Sequence, residues 1–171
     1  MHSILQDLTI EPSAEQERIL VPFIQCTKDV FSMMLGWPVE TVAVISDRQG
    51  AQRHDCSGIL GFSGALRGSI VVSLDQEVAL AATEAFLGER QDSLTAEVID
   101  TVGELTNMIG GSSKDRLGVS GVAIGLPTII SGRNHCVSFD PRAQVEMIRF
   151  QTPHGPFTIE IAIVGLDAIP Q

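Results

Sequence analysis

Residues 93–111 read SLTAEVIDTVGELTNMIGG, and their spacing decides how the chain is built. Thr95 is placed to cap the free amides of a helix, with Leu94 just outside and Ile99 in the second turn, where a hydrophobic staple would put them. At about 100 degrees per residue, Val98, Val102, Leu105 and Ile109 collect on one side of that helix. Asp100, Glu104, Asn107 and Gly111 collect on the other. The spacing predicts an amphipathic helix that buries the first set and turns the second to solvent, and the paired glycines Gly110 and Gly111 are expected to end it.

Upstream, residues 12–36 (PSAEQERILVPFIQCTKDVFSMMLG) repeat the helical signal. Ser13 and Gln16 have capping-box spacing, and Leu20, Phe23, Ile24, Thr27, Phe31, Met34 and Leu35 form one face. Pro22 lacks an amide proton and clashes with the preceding turn, so either the helix kinks there or its well-formed part begins near it. Gly36 and Pro38 end it. A third helix is expected over residues 75–87, with Asp75 as N-cap, an apolar side of Val78, Ala81, Ala82, Ala85 and Phe86, and Gly88 just past its end.

Between and after these helices, β-branched runs alternate with glycine, proline and polar breaks. Strands are expected at TVAVISDR (41–48), DCSGILGFSG (55–64), LRGSIVVSLD (66–75), VSGVAIGL (119–126), HCVSFD (135–140), QVEMIRFQ (144–151) and FTIEIAIVG (157–165), with a reversal near Gly64 and Ala65. Three long helices with six or seven clustered, hairpin-like strands describe an α/β layered domain rather than a regular βαβ repeat. A chain of 171 residues is expected to fold as one domain.

The formal charge of −10, from 21 acidic and 11 basic side chains, opposes nucleic acid and anionic lipid. Cys26, Cys56 and Cys136 are odd in number and widely spaced, as expected of reduced thiols in a cytoplasmic protein. No apolar run reaches the length of a membrane span, so no membrane insertion is expected.

Familiar chemistry is sparse. His2, His54, His135 and His154 lack a ligand-spaced partner and are expected as surface or turn residues, not as a metal site. GFSGALRG (61–68) lacks the Lys-Ser/Thr of a phosphate loop and suits a hairpin; GGSSK (110–114) follows a helix instead of opening one. Cys56 and Ser57 are read without a histidine partner, since His54 beside them is expected as a surface or turn residue. Glu104 and Asn107 remain, less than one turn apart on a solvent face. A polar helix face alone would tolerate both. A carboxamide is too weak to be a nucleophile or base, but it can orient water, and a neighbouring carboxylate can fasten to a cation; that pairing suits a site whose metal and electrophile a macromolecular partner brings.

DTVGELTN (100–107), followed by GLPTI (125–129), resembles the pattern of the CheX group of the CheC/CheX/FliY chemotaxis phosphatases: an acidic or hydroxyl residue, three spacers, Glu, two spacers, Asn, and a later proline. VPFIQCTKDVFSMMLG (21–36) and FSGALRGSIVVSL (62–74) are similar to that group's long first helix and following sheet segment. The resemblance implies a single CheX-like phosphatase domain over residues 1–171, its core about 13–166, with long helices packed on a mainly antiparallel sheet. It implies hydrolysis of the aspartyl phosphate on a CheY-like receiver domain, Glu104 docking to the regulator's lysine and Asn107 orienting water. Asp100 would support the acidic face and Pro127 shape the adjoining loop. The regulator would supply Mg2+, with no cofactor on this chain. One Glu-x-x-Asn, where CheC-like relatives have two, implies a CheX-like homodimer. The competing expectation is a non-catalytic module that binds a response regulator or acts as a flagellar-switch-like scaffold.

Overall fold

The computed structural model describes residues 12–46 and 54–164. Helix α1 (Ala14–Leu35) leads into β1 (Glu40–Ile45), then the hairpin of β2 (His54–Gly64) and β3 (Arg67–Leu74). Helices α2 (Gln76–Leu87) and α3 (Ala96–Leu117) follow, then β4 (Val122–Ile124), β5 (Thr128–His135), β6 (Gln144–Thr152) and β7 (Gly155–Val164). The strands form one antiparallel sheet in the order β1-β6-β7-β3-β2-β4, with β5 also on the outer edge of β2. The expected combination of long helices on a mainly antiparallel sheet is the one observed. His2 and the ends of two expected strands, at 47–48 and 165, lie outside the described residues, as does residue 166 at the end of the expected core.

One side of the sheet meets the helices. Ile70, Val72 and Leu74 of β3, Ile148 and Phe150 of β6, and Phe157, Ile159, Ile161 and Ile163 of β7 alternate along their strands toward a core shared with α1 and α3. Phe157 stacks on Phe31 and on Phe150 at centroid distances of 4.5 and 4.9 Å. Helix α1 starts with the expected capping box: Gln16 N–H donates to Ser13 Oγ at 3.3 Å, and Ser13 N–H to Gln16 Oε1 at 2.8 Å. Pro22 lies inside the helix, which continues on both sides of it while Ile19, Leu20, Val21, Phe23 and Ile24 are buried. Tertiary burial offsets the missing amide bond.

Several expectations need correction. Helix α3 does not stop at Gly110 and Gly111 but continues to Leu117, with Gly118 left-handed at its C-cap. Gly110 is a contact point: a Cβ there would collide with Leu60 Cδ2 and lie 3.2 Å from Ile70 Cδ1, so glycine lets the helix rest directly on the sheet. The strand expected at 135–140 sits at 128–135, and 136–140 is irregular. Thr128, Ile129 and Ile130 begin β5, whereas Gly132 (φ 143°) and Asn134 (φ 61°), which read as a turn, accompany a register shift opposite His54 and Cys56. On α2, Ala85 is exposed and Ala79 and Thr83 are buried in its place. Asp75 stands at the N-cap of α2 as expected, but its side chain caps no amide there, and Gln76 N–H donates to Asp55 Oδ2 at 3.1 Å.

Candidate functional site

Val98, Val102, Leu105 and Ile109 have no solvent exposure, which fixes the opposite face of α3 outward. Asp100 and Glu104 are exposed and Asn107 is half-buried, on an uninterrupted helix. Asn107 makes no side-chain hydrogen bond among the described residues, nor is its amide among the buried polar groups lacking a partner, so the amide faces accessible space. Glu104 likewise has no ion pair among the described residues. The two side chains are unspent donors and acceptors on a rigid element, free for a partner.

The half-burial of Asn107 has a local cause. Gly103, Asn107 and Gly111 form one row at four-residue spacing. A Cβ on Gly103 would stand 3.6 Å from Ile129 Cδ1 and 3.9 Å from Pro127 Cγ, and one on Gly111 would stand 3.7 Å from Ile124 Cδ1. The segment 124–129 therefore runs along this row, past Asn107, at van der Waals distance from both ends of it. Pro127 lies against the turn that carries Glu104, which brings all four residues of the expected pattern to one region. The connecting loop is tethered in its middle as well, since Gly125 N–H donates to Gly61 O at 3.0 Å.

The other candidates lie elsewhere. His54 is not a surface residue: it is 8% exposed, and its ring bridges Asp75 Oδ1 at 3.1 Å and Thr158 Oγ1 at 3.0 Å. Burial lowers its pKa, and the hydrogen bond to Asp75 opposes that shift. Topology also brings a histidine to Ser57 from 78 residues away, with His135 Nε2 2.7 Å from Ser57 Oγ. Ser57 is buried and shares a 2.7 Å hydrogen bond with Ser73, while His135 Nδ1 meets the carbonyl of Gly132 at 2.7 Å. These contacts satisfy buried polar groups between strands. Burial pushes the Cys56 thiol up to about 11, well away from a reactive thiolate at neutral pH. His154, exposed in the β6–β7 turn, packs on Trp37 with centroids 4.3 Å apart. Among the described residues no group of three or more His, Cys, Asp or Glu is placed to hold a metal ion, and no helix is long and apolar enough to cross a membrane.

Residues 56–151 match the family model described as "Chemotaxis phosphatase CheX". The chain belongs to the CheX family. The matched range runs from β2 through β6 and contains Asp100, Glu104, Asn107 and Pro127. A curated relative, CheY-P phosphatase CheX of Thermotoga maritima, is 32% identical over 84 residues, covering 47% of this chain and 54% of the relative. The chain thus spans about half the length of that relative. The crystal structure of a chemotaxis protein CheX from Desulfovibrio desulfuricans superposes with a TM-score of 0.79 at 30% identity, over 85% of this chain and 99% of that one. The CheX–CheY–BeF3–Mg2+ complex from Borrelia burgdorferi shares the fold, with a TM-score of 0.65 at 22% identity over 85% of this chain and 97% of that one.

Proposed function

We propose that this CheX-family chain hydrolyses the aspartyl phosphate of a CheY-type receiver domain, with Asn107 orienting the attacking water and Glu104 docking to a lysine of the receiver. The observation that carries this reading is the unspent amide of Asn107 beside an exposed carboxylate, on a helix fixed to the sheet, in a family described as a chemotaxis phosphatase. In the reaction a water oxygen forms a new bond to phosphorus as the bond to the aspartate oxygen breaks. The carboxylate leaves with the electron pair, and the water's protons pass to phosphate and solvent. An amide that accepts a hydrogen bond from the water fixes its lone pair on the line of attack, which lowers the entropic part of the barrier. Mg2+ would come with the receiver and offset the charge on the phosphoryl oxygens.

Asp100 stands one turn behind Glu104 and extends the negative face. Pro127, packed over Gly103, keeps the 124–129 segment against the helix. The test is phosphate loss from a panel of CheY-type receiver domains, phosphorylated by a small-molecule donor and freed of excess donor, with and without this protein. At least one receiver should lose phosphate faster in a Mg2+-dependent manner. Glu104→Ala should raise the concentration of half-maximal acceleration by about tenfold, because a charge-assisted contact to the receiver is lost. Added salt should reduce the gap between the wild type and this variant. Binding to a cognate receiver without acceleration would instead make the protein a non-catalytic module. The assembly we propose is a homodimer in the cytoplasm, for which sedimentation equilibrium should give a mass near twice 18.3 kDa; a persistent monomer would overturn it.

A further inference from the structure

Leu126 is 92% exposed, more than Met33, Val42 or Leu87, the other exposed large apolar side chains among the described residues. Those three lie on α1, β1 and the end of α2, whereas Leu126 lies between Ile124 and Pro127, in the segment that flanks Asn107. The loop around it has little freedom. It joins two strands that both pair with β2, Gly125 donates to Gly61 O, and Pro127 and Ile129 rest on α3 at Gly103. A leucine on a flexible tip turns inward at little cost, but here the backbone is held on both sides of a side chain that buries almost nothing. A fixed, fully exposed apolar residue bordering a polar helix face gives a contact surface its usual anatomy, an apolar centre beside charged groups that set orientation.

We infer that Leu126 is an apolar anchor for the receiver domain, inserted beside the contact made by Glu104 and setting affinity rather than the chemical step. This rests on the phosphatase reading and adds the partner chemistry, an apolar depression next to the receiver's lysine. Continuity with the Glu104–Asn107 face favours the receiver over a second copy of this chain as occupant. Burial of a leucine is worth about 1.5 to 3 kcal/mol, which converts to about 10- to 150-fold in affinity.

The experiment measures phosphate loss from the accelerated receiver domain over a range of concentrations of wild type, Leu126→Ala, Leu126→Asp and Leu126→Met. Sedimentation equilibrium and denaturation midpoints are recorded for each protein. Leu126→Ala should raise the half-saturating concentration about tenfold and Leu126→Asp further, because a charge would be desolvated. Leu126→Met should stay within about threefold of wild type, since it conserves apolar volume. Maximal rates should agree within about twofold, and neither mass nor midpoint should move. Equal half-saturation for Leu126→Asp and wild type overturns the inference. A fall in maximal rate alone overturns it in favour of a role in placing Asn107, and a change in mass assigns the residue to contact between copies. If wild type accelerates no receiver, the phosphatase reading itself fails and the inference falls with it.

Discussion

Asn107→Ala should lower the maximal rate of receiver dephosphorylation by about two orders of magnitude while changing half-saturation by less than about threefold. The asymmetry follows from where the amide would act. A water held on the line of attack matters most when the new bond to phosphorus is forming, so the lost interaction belongs to the transition state far more than to docking. The fold supports a separable effect, because the Asn107 side chain makes no hydrogen bond to another part of the protein among the described residues. Its backbone is fixed by a helix whose other face is fully buried. Single-turnover measurements at saturating protein separate the two parameters. An unchanged maximal rate would rule out water positioning even in an active protein, and a large rise in half-saturation would make Asn107 a docking residue.

The polar face of α3 was legible in the sequence because four apolar residues at helical spacing specify which way a helix turns. Val98, Val102, Leu105 and Ile109 all reach the core, leaving Asp100, Glu104 and Asn107 on the other side. The helix end was not legible. Two adjacent glycines are a stop signal when only local conformational entropy is considered. Here Gly110 is required by Leu60 and Ile70, and Gly111 lies near Ile124, contacts that exist only after the sheet has formed. The same reason hid β5, since its Gly132 and Asn134 occupy positive-φ positions at an irregular edge that a local reading assigns to a turn. It hid the environment of His54 too: Asp75 and Thr158 are 21 and 104 residues away. Sequence therefore located the polar pair, while the loop that walls it depends on long-range contacts between β2 and α3. Leu126 carried no signal of its own, because an isolated leucine in an expected strand reads as core.

Those contacts also determine the largest stability effect expected here, from Leu105→Ala. Leu105 has no solvent exposure and sits one residue after the exposed Glu104, turned about 100 degrees from it into the core. Removing a buried leucine side chain costs about 2 to 5 kcal/mol, and the position within that range depends on how far the surroundings collapse into the cavity. Collapse is restricted here. A Cβ on Gly58 would collide with Thr106 Oγ1, and one on Gly110 with Leu60, so α3 already touches β2 right beside Leu105 and again about one turn further along the helix. Moving the helix inward would compress those contacts. The loss should therefore fall in the upper half of the range, about 3.5 to 5 kcal/mol. Asn107→Ala, two residues further along, should cost less than about 1 kcal/mol because its amide faces accessible space. Urea midpoints compared at equal slopes make the test. Equal, large losses for both variants would mean that Asn107 is part of the structure and not of an open face; a loss below about 1 kcal/mol for Leu105→Ala would mean that the helix moves despite the contacts at Gly58 and Gly110. With Leu105→Ala destabilised and Asn107→Ala both stable and inactive, the two faces of one helix would be separated into the side that holds the fold and the side that acts on the receiver.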